Sequence, residues 1–177
     1  MIAFLVGSFF VLFLLIFIAF LVTSFFAFRS APPISLTKRA AKLMLRVAGL
    51  KSGEKAYDLG AGIGKLVIVA KNDFDLDIFG IEFSPFVWFV GRLNLFFHGL
   101  NQKQLIFGDF FKKDLSKADV IFCYLGAETM TKIAEKLKTK TSARLVSYVF
   151  RLPGFTPTKI IRGTDNDSVY LYEISRK

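Results

Sequence analysis

The sequence predicts an α/β protein built on a mostly parallel β-sheet and preceded by one apolar helix. A glycine-rich segment, Asp58–Gly64, stands between a strand-like run and a helix-like run. Strand-like and helix-like segments then alternate as far as residue 149, which is typical of a parallel sheet covered by helices on both faces. The last part of the chain has two strand-like runs around a polar turn, so we expect the sheet to end in a C-terminal antiparallel hairpin.

The first 28 residues have the composition of a membrane anchor. They contain no charge and no proline, and they hold nine of the 22 phenylalanines in the chain. A bilayer core of about 30 Å needs about 20 apolar residues, and this segment is longer than that. A cleaved signal peptide is the alternative, but it would start with basic residues and have an apolar run of roughly 7 to 15 residues. We therefore expect residues 1–28 to form one uncleaved transmembrane helix.

Basic residues follow this apolar segment. Between residues 29 and 55 the chain has seven lysines and arginines but only one acidic residue, Glu54. The positive-inside rule then places the rest of the chain on the cytoplasmic side of a cell membrane, with a single-pass anchor. The net charge of +10 suits an anionic lipid surface. The basic residues are dispersed rather than clustered, which disfavours nucleic acid as a partner.

Two further regions follow the anchor. Residues 29–52 are predicted to be a basic linker, stiffened by Pro32 and Pro33, and an amphipathic helix that Ser35 or Thr37 caps and that Gly49 ends. Residues 53–177 are predicted to be the folded domain. The first predicted strand ends at residue 59. The others span 78–82, 105–107, 120–124, 144–149, 159–162 and 168–174. The predicted helices span 64–72, 85–98 and 129–137.

The segment from Asp58 to Gly64 has the features of a ligand-binding turn. Its glycines at positions 60, 62 and 64 allow a sharp turn and a close approach of a ligand to the main chain. The helix that follows presents unpaired N–H groups to the same crevice. We expect Asp58, Gly60, Ala61, Gly62 and Gly64 to contact a nucleotide-like cofactor.

Carboxylates follow the next two predicted strands. Glu82 lies 22 positions after Gly60, the spacing at which a carboxylate can accept both ribose hydroxyls. Asp109 is placed to accept a hydrogen bond from an exocyclic amine of the base, such as the adenine N6 amine. Phe110 could stack on that base, and Phe83 is a further expected contact. No metal ligands are predicted.

The glycine spacing separates two possible cofactors. The dinucleotide fingerprint is G-x-G-x-x-G, whereas the third glycine here, Gly64, comes one position early. S-adenosylmethionine has no phosphate, and its carboxylate can use the same positive helix end. The segment Asp58–Gly64, the two carboxylates and the closing hairpin resemble the Rossmann-like class I methyltransferase fold, and the resemblance covers about residue 50 to the end.

Longer segments are similar to a narrower family, the small membrane-associated lysine methyltransferases. They are Tyr57 to Ala70, Gly80 to Trp88 and Asp119 to Leu125. In mitochondria, members of that family modify the adenine nucleotide translocase and the ATP synthase c subunit. The chain departs from the family pattern at Ile63, where an acidic residue is usual, and at Ser84, where an asparagine is usual. The resemblance implies S-adenosylmethionine as cofactor and a lysine of a membrane protein as substrate.

Methyl transfer to lysine requires the loss of a proton from the ammonium, so a carboxylate or a tyrosine should lie near the methyl group. Tyr124, at the end of a predicted strand, and Glu128, four residues later, are the predicted catalytic residues. Their alternative roles are packing and capping of the next helix. Two other functions stay open at this point: a methyltransferase for a lipid or quinone-like molecule, and a membrane-tethered nucleotide-binding module without turnover.

Overall fold

The computed structural model describes the backbone of residues 2–29, 36–140, 142–163 and 167–175. It describes the side chains of residues 7–22, 36–137, 142–163 and 167–175. The predicted membrane exit at Pro32 and Pro33 and the alternative helix cap Ser35 lie outside these residues. The middle of the predicted hairpin turn, residues 164–166, lies outside them too.

The described residues form helices and strands in the predicted alternation. The helices are α1 (Ile2–Arg29), α2 (Lys38–Ala48), α3 (Lys65–Phe74), α4 (Pro85–Phe97) and α5 (Ala127–Lys140). The strands are β1 (Ala56–Leu59), β2 (Ile78–Glu82), β3 (Leu105–Phe107), β4 (Val120–Cys123), β5 (Ala143–Tyr148), β6 (Lys159–Arg162) and β7 (Ser168–Ile174). A short 3₁₀ turn, Gln102–Gln104, precedes β3.

The strands form one sheet in the order β3-β2-β1-β4-β5-β7-β6. The first five of these strands pair in parallel. Strand β7 pairs antiparallel with β5 and β6, so the predicted C-terminal hairpin is confirmed. The strand order changes direction at β1, because the chain continues to β2 on one side of β1 and later returns to β4 on the other. The crevice at such a switch point is where ligands of open α/β sheets bind.

The sheet has an apolar core on each face, because successive side chains of a strand point to opposite sides. Phe122 of β4 lies in the core beneath α2 and α3, together with Met44 and Val146. Its neighbour Ile121 lies in the core beneath α5, together with Met130. Each such buried side chain contributes about 1.5–3 kcal/mol, so the two cores hold the strand ends in a fixed register.

Helix α2 is closed at both ends as the sequence predicts. The Thr37 hydroxyl accepts a hydrogen bond from the Ala40 N–H at 3.1 Å. Gly49 takes the left-handed conformation at the other end, with φ of 55°. The Arg144 guanidinium of β5 donates to the Ala48 and Gly49 carbonyls at 2.6 and 3.0 Å, which fixes α2 against the sheet.

Helix α5 and strand β4 differ slightly from their predicted bounds. The strand ends at Cys123 rather than at Tyr124, and the helix starts at Ala127 rather than at Thr129. The cause is a backbone hydrogen bond from the Met130 N–H to the Gly126 carbonyl at 3.0 Å, which starts the helix earlier. The turn between β4 and α5 is therefore only three residues long, Tyr124 to Gly126.

Helix α1 presents large apolar side chains to its surroundings between residues 7 and 22, and it contacts α4. Within the described part of the chain, no helix has both the length and the apolar character that crossing a membrane requires. The predicted transmembrane anchor at residues 1–28 is therefore not confirmed.

Candidate active site

The carboxyl ends of four strands form one row across the sheet. Leu59 of β1 pairs with Ile81 of β2 and with Cys123 of β4, and Cys123 pairs with Ser147 of β5. The residues that follow these four, Gly60, Glu82, Tyr124 and Tyr148, therefore lie level with one another. Neighbouring strands are about 4.8 Å apart, so the row brings residues from distant parts of the sequence together.

The glycine turn is fastened to the neighbouring strand. The Gly60 and Ala61 N–H groups both donate to the Ile81 carbonyl, at 2.9 and 3.1 Å. A Cβ at Gly60 would lie 2.7 Å from Leu125 Cδ2, so the turn packs against the loop after β4. Gly62 has φ of 56°, and a Cβ added there would meet nothing within 4 Å. The turn is therefore supported from below and open to a ligand at Gly62.

Glu82 is held beside this opening by backbone donors. Its carboxylate accepts hydrogen bonds from the Gly62 N–H at 2.9 Å and from the Ser84 N–H at 2.8 Å, one on each oxygen. Only 8% of the residue is exposed. A carboxylate has about four lone-pair sites, so each oxygen can still accept a hydroxyl. This geometry fits the two hydroxyls of a ribose.

Asp58 is a second buried carboxyl group under the turn. Burial and, to a smaller extent, the negative charge of Glu82 together raise its pKa to about 7. A cation placed at the turn would favour the ionised form of Asp58. S-adenosylmethionine has both an ammonium and a sulfonium group, so two buried acidic groups beside an open turn fit this cofactor.

The remaining predicted cofactor contacts have mixed positions. Asp109 is half-buried after β3, and its carboxylate accepts a hydrogen bond from the Phe111 N–H at 2.8 Å. Phe83 is half-buried next to Glu82. Phe110 belongs to the core on the α5 face, where its ring contacts that of Phe111 at 4.5 Å. The geometry does not favour the predicted stacking of Phe110 on a base, because core packing covers its ring.

On the other side of the row, Tyr124 meets Tyr148. Their rings contact edge to face, with centroids 4.8 Å apart and planes at 67°. Asp167 directly precedes the hairpin strand β7. Its Oδ2 accepts a hydrogen bond from the Tyr148 hydroxyl. Burial raises the pKa of Tyr124, and the nearby charge of Asp167 raises it further. Tyr124 is therefore a neutral phenol at physiological pH.

The chain makes a strained turn directly after Tyr148. Val149 has φ of 65°, a conformation that a β-branched residue rarely adopts. The Phe150 N–H donates to the Tyr148 carbonyl at 2.8 Å across this residue, which is a tight three-residue turn. Strain of this kind is concentrated at functional sites, where surrounding contacts hold it in place.

A cavity of about 750 Å³ opens over Tyr124, Tyr148 and Val149. Helix α2 forms one wall and the β6–β7 hairpin forms the other. The lining includes five basic side chains and one carboxylate. The basic residues are Lys38, Arg39, Lys42, Arg46 and Arg162, and the carboxylate is Asp167.

Glu128, the second predicted catalytic residue, lies elsewhere. It is in the first turn of α5, its side chain is 85% exposed, and its carboxylate pairs with Lys132 at 2.7 Å. It is not among the described residues that line the cavity. The structure thus brings Tyr124 to the cavity but does not bring Glu128 there.

The sequence did not point to Tyr148, Asp167 or the basic side of α2 as site residues. In the sequence, Tyr148 is recognisable only as a residue near the end of an apolar strand, and Asp167 only as part of a polar turn. Both positions depend on the antiparallel pairing of β5 with β7, in which Tyr148 lies opposite Val169. That pairing could have been inferred once the hairpin was placed next to β5.

Known proteins resemble this chain over most of its length. The ANTKMT methyltransferase domain family matches residues 58–159. A protein-lysine N-methyltransferase of Saccharolobus islandicus is 29% identical over 154 residues, which are 81% of this chain and 93% of that protein. The adenine nucleotide translocase lysine N-methyltransferase of Mus musculus is 27% identical over 127 residues. That alignment covers 68% of this chain and about half of the mouse protein, 53%.

A solved structure agrees with these relatives in fold. It is an RNA methyltransferase from Salinibacter ruber in complex with S-adenosyl-L-homocysteine, with a TM-score of 0.74 and 27% identity. The match covers 81% of this chain and 95% of that chain. The Rossmann-like methyltransferase fold and S-adenosylmethionine as cofactor are thereby confirmed, and a binding module without turnover is excluded. This chain belongs to the ANTKMT methyltransferase domain family and is an S-adenosylmethionine-dependent methyltransferase.

Proposed function

We propose that the protein transfers a methyl group to the side-chain amine of lysine in a membrane protein. The cavity beside the cofactor turn carries the proposal, because two tyrosine rings and a carboxylate converge there. Aromatic rings and a carboxylate both attract an ammonium group. The protein-lysine N-methyltransferases of Saccharolobus islandicus and mouse support the same substrate class.

The residues of the chain have separable tasks in this reaction. Asp58, Glu82 and the open turn at Gly62 bind and orient S-adenosylmethionine, which supplies the methyl group when bound. Tyr124 lies level with Gly60 on the neighbouring strand and positions the acceptor amine. Its raised pKa keeps the phenol protonated, so Tyr124 serves as a hydrogen-bonding group rather than as the base. Holding the two reactants in line is the main contribution that a protein makes to such a transfer.

Transfer of labelled methyl groups tests the substrate class. Membranes and soluble extract are incubated with the full-length protein and radioactive S-adenosylmethionine, then separated into protein, lipid and RNA. We expect the label in protein, released on hydrolysis as methyl-lysine. Label in the lipid extract would instead support the lipid or quinone-like substrate, and label in RNA would support a nucleic acid. The Glu82→Ala protein is the matched control, because it should lack cofactor binding.

We also propose that the protein works at the cytoplasmic side of a membrane. The support is apolar surface: Phe9 of α1 is 73% exposed and Phe97 of α4 is 79% exposed, and the two helices are in contact. Apolar patches of this kind mark contacts with membranes or proteins. The net charge of +10 would favour a surface of anionic headgroups.

Flotation with anionic vesicles tests the membrane location on the full chain. We expect the native protein to float with the vesicles and the Phe13→Lys/Phe17→Lys variant, which places two charges on α1, to stay at the bottom. A control variant, Lys103→Gln/Lys117→Gln, changes two exposed lysines elsewhere and should float like the native protein. Flotation of the α1 variant equal to that of native protein would argue against this location.

A further inference from the structure

We propose that the cavity between α2 and the β6–β7 hairpin binds a lysine that lies among acidic residues of its protein. In this proposal Asp167 receives the ammonium group and its proton, and Arg39, Arg46 and Arg162 bind the flanking carboxylates. The proposal rests on the proposed lysine methyltransferase function and names the sequence context of the substrate.

Asp167 has one oxygen in use and one to spare. Its Oδ2 accepts the hydrogen bond from the Tyr148 hydroxyl. Its Oδ1 is buried and has no hydrogen-bond partner among the described residues. A buried carboxylate oxygen without a donor is costly, and a lysine ammonium has three donors. An ammonium group in the cavity would therefore complete the hydrogen bonding of Asp167.

The two tyrosines line the same cavity as Asp167. Tyr148 orients Asp167 through its hydroxyl, and Tyr124 packs against Tyr148 edge to face. Both residues follow strand positions that pair across β4 and β5, so their side chains emerge on the same face of the sheet. The aromatic walls attract a cation and exclude water from the amine.

The methyl transfer takes place in three steps. The ammonium gives one proton to the Asp167 carboxylate, which leaves a neutral amine and a protonated carboxyl group. The amine lone pair then forms the N–C bond to the methyl carbon as the S–C bond breaks, and the electron pair of that bond stays on sulfur. The carboxyl proton finally passes to water. Asp167 is suited to this role because Tyr124 keeps its own proton and Glu128 is held by Lys132 outside the cavity.

The rim of the cavity has a strong positive charge. Arg39, Leu43 and Arg46 recur at positions i, i+4 and i+7 of α2, so they share one side of the helix, and Arg162 lies on the hairpin. Lys38 and Lys42 both pair with Asp73 at 3.4 Å. No carboxylate of the described residues pairs with any of the three arginines. Their guanidinium groups are therefore available for the carboxylates of a substrate.

The shape of this rim favours an acidic protein segment over a lipid surface. The arginines surround a concave site and stand on two different walls, α2 and the hairpin. A bilayer surface is flat on this scale and would reach only the outermost of these side chains. A peptide can enter the cavity with its lysine and still place neighbouring carboxylates on the rim.

The first experiment tests Asp167 in the full-length protein. We expect Asp167→Asn to lower kcat about 100-fold or more, the usual range for loss of a general base, with cofactor affinity within twofold of native. The residual rate should rise about tenfold per pH unit through the neutral range, because the amine must then lose its proton to water. The exposed Asp114→Asn is the control and should behave like native protein.

A kcat of Asp167→Asn within threefold of native would overturn the proton-accepting role. Tyr148→Phe is a second test for the case that Asp167→Asn fails to fold, because it removes only the hydroxyl that orients Asp167. We expect Tyr148→Phe to lower kcat about tenfold while the protein stays folded by circular dichroism. A native kcat in that variant would also count against the proposal.

The second experiment compares two short peptides, each with one central lysine, flanked by glutamates in one and by glutamines in the other. We expect native protein to methylate the glutamate peptide with about tenfold higher kcat/KM, and Arg39→Glu/Arg46→Glu to lose or reverse that preference. Lys103→Glu/Lys117→Glu makes the same charge change at exposed positions outside the rim and should keep it. Equal rates on both peptides would overturn the acidic context.

Two further readouts separate the possible failures. Anionic vesicles that abolish methylation of the glutamate peptide would show that lipid occupies the rim, which contradicts the proposal. Methylation of lysine in both peptides without preference would overturn only the inferred context. Native cofactor binding with no methylation of any lysine, in peptides or in membrane extracts, would instead overturn the proposed function.

Discussion

The cofactor side and the acceptor side of the active site are built in different ways. The proposed cofactor contacts come from one short stretch, Asp58 to Gly64, and from Glu82 at the end of the adjacent strand. The acceptor side draws residues from α2, from the ends of β4 and β5 and from the start of β7, so its residues range from Arg39 to Asp167. The residues of the cofactor side are close together in the sequence or on adjacent strands. The acceptor side forms only because the strand register brings residues from distant parts of the chain together.

This difference has a consequence for how the two sides respond to change. Backbone groups hold the cofactor side: the turn donates to Ile81, and Glu82 accepts from Gly62 and Ser84. Side chains hold the acceptor side, where Tyr148 orients Asp167 and packs against Tyr124. We therefore expect side-chain substitutions on the acceptor side to change substrate choice while cofactor binding stays the same.

The largest effect is expected at Glu82. Replacement by alanine removes the acceptor for two backbone N–H groups and for the ribose hydroxyls, at about 1.5–3 kcal/mol for each hydrogen bond to a charged group. We expect cofactor affinity to fall at least about 100-fold by calorimetry, with activity lost in parallel. Glu82→Gln keeps the shape and should lie between native and alanine. An unchanged affinity in the alanine variant would contradict the assignment of Glu82.

The next largest effect concerns Asp58 and pH. Its folded-state pKa is raised from 3.8 to about 7, so between these values the folded protein binds a proton that the unfolded chain does not. Its contribution to stability therefore falls as pH rises through this window and is lost above about 7. Relative to Asp58→Asn, native protein should lose about 3 kcal/mol of unfolding free energy between about pH 5 and pH 8.

Cofactor binding should show the opposite trend, because the cationic cofactor favours ionised Asp58. We expect affinity of native protein to rise as pH passes through about 7, the pKa of Asp58, and affinity of Asp58→Asn to stay level. Denaturant titration and calorimetry over the same pH range measure the two trends. Parallel pH dependence in native protein and in Asp58→Asn would show that Asp58 does not titrate in this window.

A smaller effect is expected at Gly91 of α4, which packs on the cofactor turn. A Cβ there would lie 2.5 Å from Leu105 Cδ2 and 3.0 Å from the Gly62 carbonyl. We expect Gly91→Ala to cost about 1–3 kcal/mol of stability through overpacking and to weaken cofactor binding, while a bound lysine peptide is held as before. Thermal melts with and without cofactor measure this. The exposed Gly99→Ala is a poor control because of its φ of 69°, so Lys117→Ala at an exposed position outside the contact is preferable.

The cofactor side could be predicted from the sequence because its chemistry depends on residue types at fixed spacing. Glycines at 60 and 62 and a carboxylate at 82 are needed wherever this turn forms, so their pattern identifies them. Strand and helix order followed from hydrophobic periodicity, and helix α2 followed from Thr37 and Gly49 as its ends.

The acceptor side could not be obtained in this way. Asp167 lies in a polar turn that differs in no way from a solvated loop until β7 pairs with β5. Glu128 looked suitable because it is near Tyr124 in sequence, but it belongs to the first turn of a helix whose side chains point to solvent there. Nearness in sequence pointed to Glu128, which the structure places outside the cavity, and strand register brings Asp167 to the cavity instead.

The smallest effect is expected at Glu128. Its ion pair with Lys132 is exposed, and such pairs contribute about 0.3–0.5 kcal/mol to a helix. We expect Glu128→Gln to change kcat less than twofold and stability by less than about 0.5 kcal/mol. Steady-state kinetics beside those of Asp167→Asn provide the contrast between the two carboxylates. A severe loss of kcat in Glu128→Gln would restore the role that the sequence predicted for it.

A crystal structure with S-adenosylhomocysteine and a glutamate-flanked lysine peptide would locate the acceptor amine. The lysine Nζ should lie within about 3 Å of Asp167 Oδ1, between Tyr124 and Tyr148, with peptide carboxylates on Arg39, Arg46 or Arg162. An Nζ bound at Glu128, or a peptide that leaves the cavity between α2 and the hairpin empty, would contradict the division of the active site into these two sides.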